Sequence, residues 1–296
     1  MRRLAGAIGV AVWIGAASSV AGAQQATAQS LVAEGASMQQ VAGDLAFGEG
    51  PAWDGHGNLY FSDIPRNRIM KVDSTGKVSI FTDESGGANG LYFDKAGNLY
   101  ACETVSRRVT KRAPDGTMTV LADRCEGKRL NQPNDLWVDP KGGVYFTDPV
   151  YSPVKGREID TTDVYYIRPG GETIRVASGM HNPNGIIGTA DGKKLYVAAL
   201  GDKQTFVFDI AEDGTLTNKT LFASRGSDGM TLDVRGNVYM TTGKRVQVFS
   251  PGGQAIETID VPEGTTNCTF GGPDNHTLYI SCPKGIYAIR MRVSGQ

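Results

Sequence analysis

The stretch EGPAWDGHGNLYFSD, residues 49–63, contains two short segments suited to β-strands on either side of a turn. Glycine, aspartate and asparagine supply the turn, and the aromatic and β-prone residues around it are typical of strands. The end of the turn, Gly-Asn-Leu-Tyr, recurs along the chain in five related forms. The repeated tyrosines are Tyr60, Tyr100, Tyr145, Tyr196, Tyr239 and Tyr279.

The spacing of these tyrosines defines a repeat of about 40 to 50 residues made of strands and turns. Helical repeats of that length would need long segments with a period of 3.6 residues, which are not visible in the chain. The pattern predicts an all-β fold, a six-bladed β-propeller of four-stranded blades. The last repeat has room for about three strands, and residues 36–43 read as a single strand. We therefore expect the N-terminal strand to complete the sixth blade and close the ring, which removes unpaired strand edges.

The composition favours one large domain, and the N-terminal residues have the pattern of an export signal. The chain has 296 residues and a formal charge of −1, without a basic stripe of the kind that binds nucleic acid. Residues 1–23 combine a positive start, an apolar segment and an A-x-A-like cleavage pattern, which predicts a secretory signal peptide. We expect residues 24–36 to form a flexible leader and residues 37–296 the single propeller domain. The protein would then be exported, periplasmic or secreted, with no membrane contact after cleavage; an uncleaved anchor is the alternative.

The four cysteines allow disulfides in an exported chain, and the spacing leaves their pairing open. They are Cys102, Cys125, Cys268 and Cys282. A bond between Cys268 and Cys282 across one hairpin is one option, and reduced, buried thiols are the preferred interpretation.

A second register places an oxygen-bearing side chain at the start of the innermost strand of every blade. These residues precede the repeat tyrosines by eleven or twelve positions, and they are Glu49, Asn89, Asn134, Asn184, Asp228 and Asn267. This position lies at one mouth of the channel of a propeller, so the six side chains should form a ring. Oxygen donors with two carboxylates, and neither sulfur nor imidazole, suit one divalent cation; Ca²⁺ fits best, with Mg²⁺, Mn²⁺ or Zn²⁺ as alternatives. Asn and Asp residues that only cap backbone groups are the structural alternative.

Five segments resemble the gluconolactonase, regucalcin and luciferin-regenerating family. They are FGEGPAW (47–53), LNQPNDLWVDPKGGVYFTDP (130–149), NPNGI (182–186), SDGM (227–230) and TNCTFGG (266–272). The resemblance implies a six-bladed propeller with a divalent cation, usually calcium, at the mouth of the channel. It also implies that the metal ligands are Glu49, Asn134, Asn184 and Asp228, and that substrate or nearby water contacts Asn89 and Asn267. The chain departs from regucalcin-like members at Gln132, where they carry an arginine.

The functional hypothesis is a metal-dependent lactonase that acts on a small molecule as a monomer. The cation would polarise the lactone carbonyl, and Asp228 would act as general base toward water. Candidate substrate contacts are His181, near Asn184, and Tyr151, in an insertion that follows Asp148. The alternatives are a phosphotriesterase-type reaction at the same site and a propeller binding protein with a structural calcium.

A third register contains acids three residues after their tyrosines, at Asp63, Glu103 and Asp148. We expect these residues to be strand-end acids that face solvent, with Asp148 as the one candidate exception because the insertion follows it directly.

Overall fold

The computed structural model describes Met1 and residues 29–296, and its strands form a six-bladed β-propeller. The predicted signal peptide, apart from Met1, and the first part of the predicted leader lie outside the described residues. Within the described part, no helix has the length and apolar character needed to cross a membrane. The all-β fold with six four-stranded blades is confirmed.

Five blades each contain four consecutive antiparallel strands, and the sixth combines three late strands with β1 (Gln39–Ala42). In chain order, blade 1 has β2 (Gly48–Trp53), β3 (Leu59–Asp63), β4 (Arg68–Val72) and β5 (Val78–Thr82), with a 3-10 helix (Ile64–Arg66) after β3, and blade 2 has β6 (Ala88–Phe93), β7 (Leu99–Glu103), β8 (Arg108–Arg112) and β9 (Met118–Ala122). A small hairpin of β10 (Arg124–Cys125) and β11 (Lys128–Arg129) precedes blade 3, which has β12 (Leu136–Val138), β13 (Val144–Asp148), β14 (Asp163–Ile167) and β15 (Thr173–Ala177).

The second half of the chain repeats this arrangement. Blade 4 has β16 (Pro183–Gly188), β17 (Lys194–Ala199), β18 (Gln204–Ile210) and β19 (Leu216–Ala223); blade 5 has β20 (Met230–Leu232), β21 (Val238–Thr242), β22 (Arg245–Phe249) and β23 (Ala255–Asp260); and blade 6 has β24 (Cys268–Gly271), β25 (Thr277–Ser281) and β26 (Ile286–Arg290). The first strand of each blade lines the central channel.

The N-terminal strand closes the ring as predicted. β1 pairs antiparallel with β26, and Gln39 faces Ala288 in that pairing. Part of the leader expected to be flexible is also packed, since Leu31 is buried against the sixth blade and Val32 forms a β-bridge with Met291. An apolar side chain at position 31 gives this segment a reason to dock instead of remaining in solvent.

One aspartate organises the repeated turn between the first two strands of a blade. In blade 5, the carboxylate of Asp233 accepts hydrogen bonds from Asn237 N (2.9 Å), Asn237 Nδ2 (2.7 Å) and the Tyr239 hydroxyl (3.1 Å). Gly236 has a φ of 77°, in the left-handed region that glycine enters without steric cost. Asp94 makes the same contacts in blade 2. The aspartate, glycine, asparagine and tyrosine of the repeat thus form one hydrogen-bonded unit.

The apolar core lies between neighbouring blades, where the faces of their sheets pack together. Tyr60 and Phe93 join blades 1 and 2 with ring centroids 4.9 Å apart, and Tyr239 and Phe270 join blades 5 and 6 at 5.0 Å. Burial of an aromatic ring such as that of Tyr239 stabilises the fold by about 2 kcal/mol. The four cysteines are buried and free, so the preferred reduced state is what the structure contains.

The six inner strands enclose a channel of about 580 Å³. Asp135 and Asn267 line it toward one end, and the C-terminal residue Gln296 lines it toward the other. Gln296 N donates to Leu232 O (3.2 Å), and Gln296 Nε2 donates to Gly188 O (2.7 Å). The tail therefore crosses the mouth opposite the predicted ring.

Candidate functional site

All six predicted ring residues lie at the start of the innermost strand of their blade. Three occupy the second position of a strand, namely Glu49, Asn89 and Asn184, and three precede a strand by one or two residues, namely Asn134, Asp228 and Asn267. Five of them are buried, whereas Asp228 keeps part of its surface exposed. The register predicted from the repeat thus holds in every blade.

Neighbouring blades approach closely at this end of the channel because glycines follow most ring positions. Gly90 N donates to the carbonyl oxygen of Asn134 at 2.8 Å, and a Cβ on Gly90 would lie 2.7 Å from the Cα of Asp135. A Cβ on Gly229 would lie 1.9 Å from Asn267 Oδ1. No larger residue fits at either position without moving the next blade.

Hydroxyl groups on the second strand of alternate blades bind a backbone carbonyl at the ring position of the next blade or one residue before it. The bonds are Ser62 Oγ to Asn89 O (2.7 Å), Thr147 Oγ1 to Asn184 O (2.9 Å) and Thr241 Oγ1 to Thr266 O (2.9 Å). The three donors are buried and stand two residues after a repeat tyrosine, a regularity that the sequence analysis missed. These hydrogen bonds fix the positions of neighbouring ring residues along the channel axis relative to one another.

Asn184 lies at the centre of one side of the mouth. Its Nδ2 donates to Asp228 Oδ1 (2.7 Å) and to the Tyr151 hydroxyl (2.8 Å). Both donations come from the amide nitrogen, so the Oδ1 atom of Asn184 remains available to another ligand. The structure therefore brings together two predicted metal ligands and the predicted substrate contact Tyr151.

Glu49 of blade 1 and Asn267 of blade 6 lie on the other side of the mouth, and Asp135 of blade 3 reaches Asn267 across the channel. Gly50 N donates to Glu49 Oε2 (2.8 Å), and the Asn267 amide also contacts the Glu49 carboxylate. Asn267 Nδ2 donates to Asp135 Oδ2 (3.2 Å). Asp135 is a site residue that is not among those predicted from the sequence.

A signal for Asp135 was present in the sequence. The position after the ring residue carries glycine in four blades and cysteine in one, so an acid there is exceptional. It fits because Gly90 of the preceding blade leaves room beside it.

Three carboxyl groups share this mouth, Glu49 and Asp135 buried and Asp228 partly exposed, and each has a raised pKa. Removal from water raises the pKa of Asp228 to about 7, although the Asn184 hydrogen bond opposes the shift. Burial likewise raises the pKa of Asp135 to about 7. Burial, followed by the negative charge of Asp228, raises the pKa of Glu49 well above its usual range. Like charges in a poorly hydrated site need compensation by protons or by a cation.

The donor set fits a hard divalent cation. Among the described residues, no cluster of three or more His, Cys, Asp or Glu side chains is arranged to hold a metal ion. A cation at the mouth would therefore depend on amide oxygens as well as carboxylates. Asn89 and Asn134 are buried, and neither side chain takes part in a hydrogen bond within the described chain. Oxygen-only donors of this kind suit Ca²⁺ better than the softer transition metals.

His181 lies apart from the carboxyl groups. It is exposed and lines a neighbouring polar cavity of about 540 Å³, together with Arg157 and Asp202. Its backbone N donates to Asp202 Oδ2 at 2.9 Å. A contact between His181 and substrate stays a prediction, and it would require a ligand that extends into this second cavity.

The acids of the third register do not face solvent, and that expectation is wrong. Asp63, Glu103 and Asp148 are all buried. Asp63 Oδ1 accepts from Ala46 N (2.9 Å), just ahead of Glu49, and Asp148 Oδ2 accepts from Asn131 N (2.7 Å), just ahead of Asn134. Asp63 and Asp148 thus bind the backbone of loops that lead to ring residues, whereas Glu103 accepts from Arg108 Nε (2.6 Å) and Thr110 Oγ1 (2.8 Å) on the next strand.

Comparison with known proteins places the chain in a family and supports the fold. A family model described as SMP-30/Gluconolactonase/LRE-like region matches residues 47–283. A gluconolactonase of Zymomonas mobilis is 30% identical over 293 residues, covering 87% of this chain and 82% of the relative. A solved gluconolactonase structure from Xanthomonas campestris has a TM-score of 0.82 and 30% identity, covering 88% of this chain and 91% of its own. Diisopropyl-fluorophosphatase of Loligo vulgaris is 26% identical over 275 residues, covering 82% of this chain and 87% of the relative.

The close approach of neighbouring blades predicts that Gly90→Ala destabilises the protein. The added Cβ would lie 2.4 Å from Asp135 Oδ1, so we expect a loss of about 1 to 3 kcal/mol in the free energy of unfolding. Gly170→Ala is the matched control, because a Cβ there meets no atom within 4 Å. Urea unfolding of the two variants measures the difference. Equal stability would show that the mouth is looser than the structure indicates.

A second prediction concerns Asp148 and pH. Burial raises the pKa of Asp148 to about 7, and the facing charges are Arg107 and Asp163. Asp148 Oδ1 and Asp163 Oδ1 are buried without a hydrogen-bond partner in the described chain. Because the pKa is raised on folding, the protonated acid stabilises the fold below about pH 4. That contribution is lost as pH rises through about 7.

We therefore expect Asp148→Asn to become more stable relative to wild type as pH increases from 5 to 8, by about 1 to 3 kcal/mol. Asparagine keeps an oxygen that can accept the Asn131 hydrogen bond. Urea unfolding at pH 5, 6.5 and 8 measures the effect, with the exposed Asp115→Asn as control. A difference between Asp148→Asn and wild type that does not change with pH would contradict the prediction.

Proposed function

This chain belongs to the SMP-30/gluconolactonase/LRE-like family, and from that premise we propose that it is an exported, metal-dependent lactonase. Its substrate would be a small lactone, opened by water at the mouth of the channel. The observation that supports this most directly is the pairing of Asp228 with Asn184 beside the buried Glu49. This places acidic and amide oxygens in one poorly hydrated cleft.

Four residues of this chain would hold the cation, namely Glu49, Asn134, Asn184 and Asp228. When bound, a divalent ion such as Ca²⁺ supplies Lewis-acid polarisation of the lactone carbonyl. Glu49 and Asp228 together offset its two positive charges, and the asparagines add donors without further charge.

The chain's own residues would carry the proton. Asp228 accepts a proton from water as the water oxygen bonds to the carbonyl carbon. The ring C–O bond then breaks, and the proton passes to the departing oxygen, leaving a hydroxy acid. Asn89 and Asn267 are positioned to orient the substrate, and Tyr151 borders it from the insertion. Three carboxylates at the mouth favour an uncharged lactone over one that carries a phosphate or carboxylate.

The test is an assay of purified protein against uncharged and phosphorylated lactones, with and without a chelator. We expect chelation to abolish turnover and added Ca²⁺ to restore it. Asp228→Asn should lower kcat by at least about 100-fold, because general-base catalysis contributes that much, with the melting temperature little changed. Asp213→Asn, at an exposed turn, is the matched control and should retain activity.

Several results would count against this function. Turnover that survives both chelation and Asp228→Asn would exclude the mechanism. Absence of lactone turnover, with melting that is lowered by a chelator, would favour a binding protein with a structural ion. Hydrolysis of a phosphotriester in preference to lactones would favour the second candidate, which the similarity to diisopropyl-fluorophosphatase suggests.

We also propose export and a monomeric state. The signal-peptide pattern of residues 1–23 supports export, and a propeller whose sixth blade is completed by its own β1 needs no partner chain to close the ring. Mass spectrometry of protein recovered outside the cytoplasm should show an N-terminus at Gln24, and light scattering should give the mass of one chain. A full-length mass with Met1 retained would contradict cleavage.

A further inference from the structure

The insertion in blade 3 is the one long connection between second and third strands. It covers residues 149–162, whereas the corresponding connections in blades 1, 2, 4, 5 and 6 cover only residues 64–67, 104–107, 200–203, 243–244 and 282–285. Long connections of this kind often form binding loops. The insertion carries Tyr151, whose side chain is 48% exposed although its hydroxyl contacts Asn184. The tyrosine ring therefore borders the mouth and remains open to a ligand.

Both polar atoms of the Gln132 side chain form hydrogen bonds with this insertion. Its Oε1 accepts hydrogen bonds from Tyr151 N (2.8 Å) and Ser152 N (3.3 Å), and its Nε2 donates to Ser152 Oγ (2.7 Å). Gln132 itself lies in the loop that leads to Asn134. One residue thus connects the loop of a predicted metal ligand to the backbone of the predicted substrate contact.

Other bonds hold the rest of the insertion. Asn131 Nδ2 donates to Thr161 O (2.9 Å), and Val150 N donates to Asn182 Oδ1 (3.2 Å). These contacts anchor both ends of the insertion without Gln132. The loss of the Gln132 side chain should therefore loosen the exposed tip and leave the loop and the blade folded.

A hydrogen-bonded chain runs from this tip to the centre of the site. Gln132 holds the backbone of Tyr151, the Tyr151 hydroxyl accepts from Asn184 Nδ2, and the same nitrogen donates to Asp228. If Tyr151 moved, Asn184 Nδ2 would lose one of its two hydrogen-bond acceptors. These two acceptors orient the amide so that its Oδ1 atom stays free.

We propose that Gln132 is a positioning residue: it fixes Tyr151 at the mouth, where the aromatic ring forms the wall against which the substrate lies. The role of this wall in lactone binding rests on the proposed function, whereas the tether between Gln132 and the insertion does not. Gln132 acts through the insertion, because both acceptor positions of its amide oxygen and one of its two N–H donors bind residues 151 and 152. The ring offers an apolar face with a polar tip, as uncharged cyclic substrates require.

The experiment compares Gln132→Ala with Gln132→Glu, which can still accept from both backbone N–H groups and from Ser152 Oγ. For Gln132→Ala we expect KM for the best lactone to rise about five- to tenfold with kcat changed less than about threefold, which corresponds to the loss of one or two hydrogen bonds. Chymotrypsin should cut after Tyr151 at least about fivefold faster in this variant. Gln132→Glu should restore both values toward wild type. Gln254→Ala, in an exposed turn, is the control and should change neither.

The two readouts separate the outcomes. Unchanged cleavage in Gln132→Ala would overturn the tether, whether or not KM rises. Faster cleavage with an unchanged KM would overturn the positioning role, because the tether would then serve the loop alone. If the wild-type protein hydrolyses no lactone, the proposed function fails and the cleavage rates still decide the tether. Melting temperatures confirm that the compared variants are folded, and Tyr151→Ala, which leaves Gln132 intact, should raise KM by a similar factor.

Discussion

The close contact between neighbouring blades at one end of the channel is the constraint on which the rest of the structure depends. Glycine follows the ring position in four of the six blades, and at Gly90 and Gly229 a single added carbon would collide with the next blade. Hydroxyl groups such as that of Thr147 then bind the next ring carbonyl. The tight packing at this end determines how far the six loops reach toward the channel axis. The contacts that produce this packing join residues of different blades, which are far apart in sequence.

This packing has an electrostatic consequence. It removes Glu49, Asp135 and Asp228 from water and places them where their charges act on one another, so burial and repulsion raise pKa values together. Such an arrangement is unfavourable for stability unless something neutralises it. Proteins accept costs of this kind mainly at functional sites. The amides of Asn184 and Asn267 reduce the cost by donating to two of the three acids.

The repeat in the sequence was sufficient to predict the number of blades, the closing strand and the positions of all six ring residues. These features follow from the sequence repeat, which can be recognised without coordinates. Asp135 and the third-register acids were misjudged for a common reason: their burial depends on contacts between loops that the period does not describe. Asp148 binds the backbone of Asn131, and that contact crosses from one strand end to a separate loop. The bonds of Gln132 to the insertion are equally invisible in the sequence, because loop conformation decides them.

The seam between β1 and β26 makes the integrity of the mouth a property of the whole chain. Gln39 faces Ala288 there, whereas the other blades join strands that follow one another. The entropic cost of closing so long a loop grows only with the logarithm of its length, but contacts of such separation are slow to form. Most of the ring thus consists of strands that are consecutive in sequence, and the pairing of β1 with β26, which are far apart in sequence, closes it. Any event that frees β1 would expose the edge of β26 and release the segment that leads from Ala42 to Glu49, so order at the seam also supports order at the mouth.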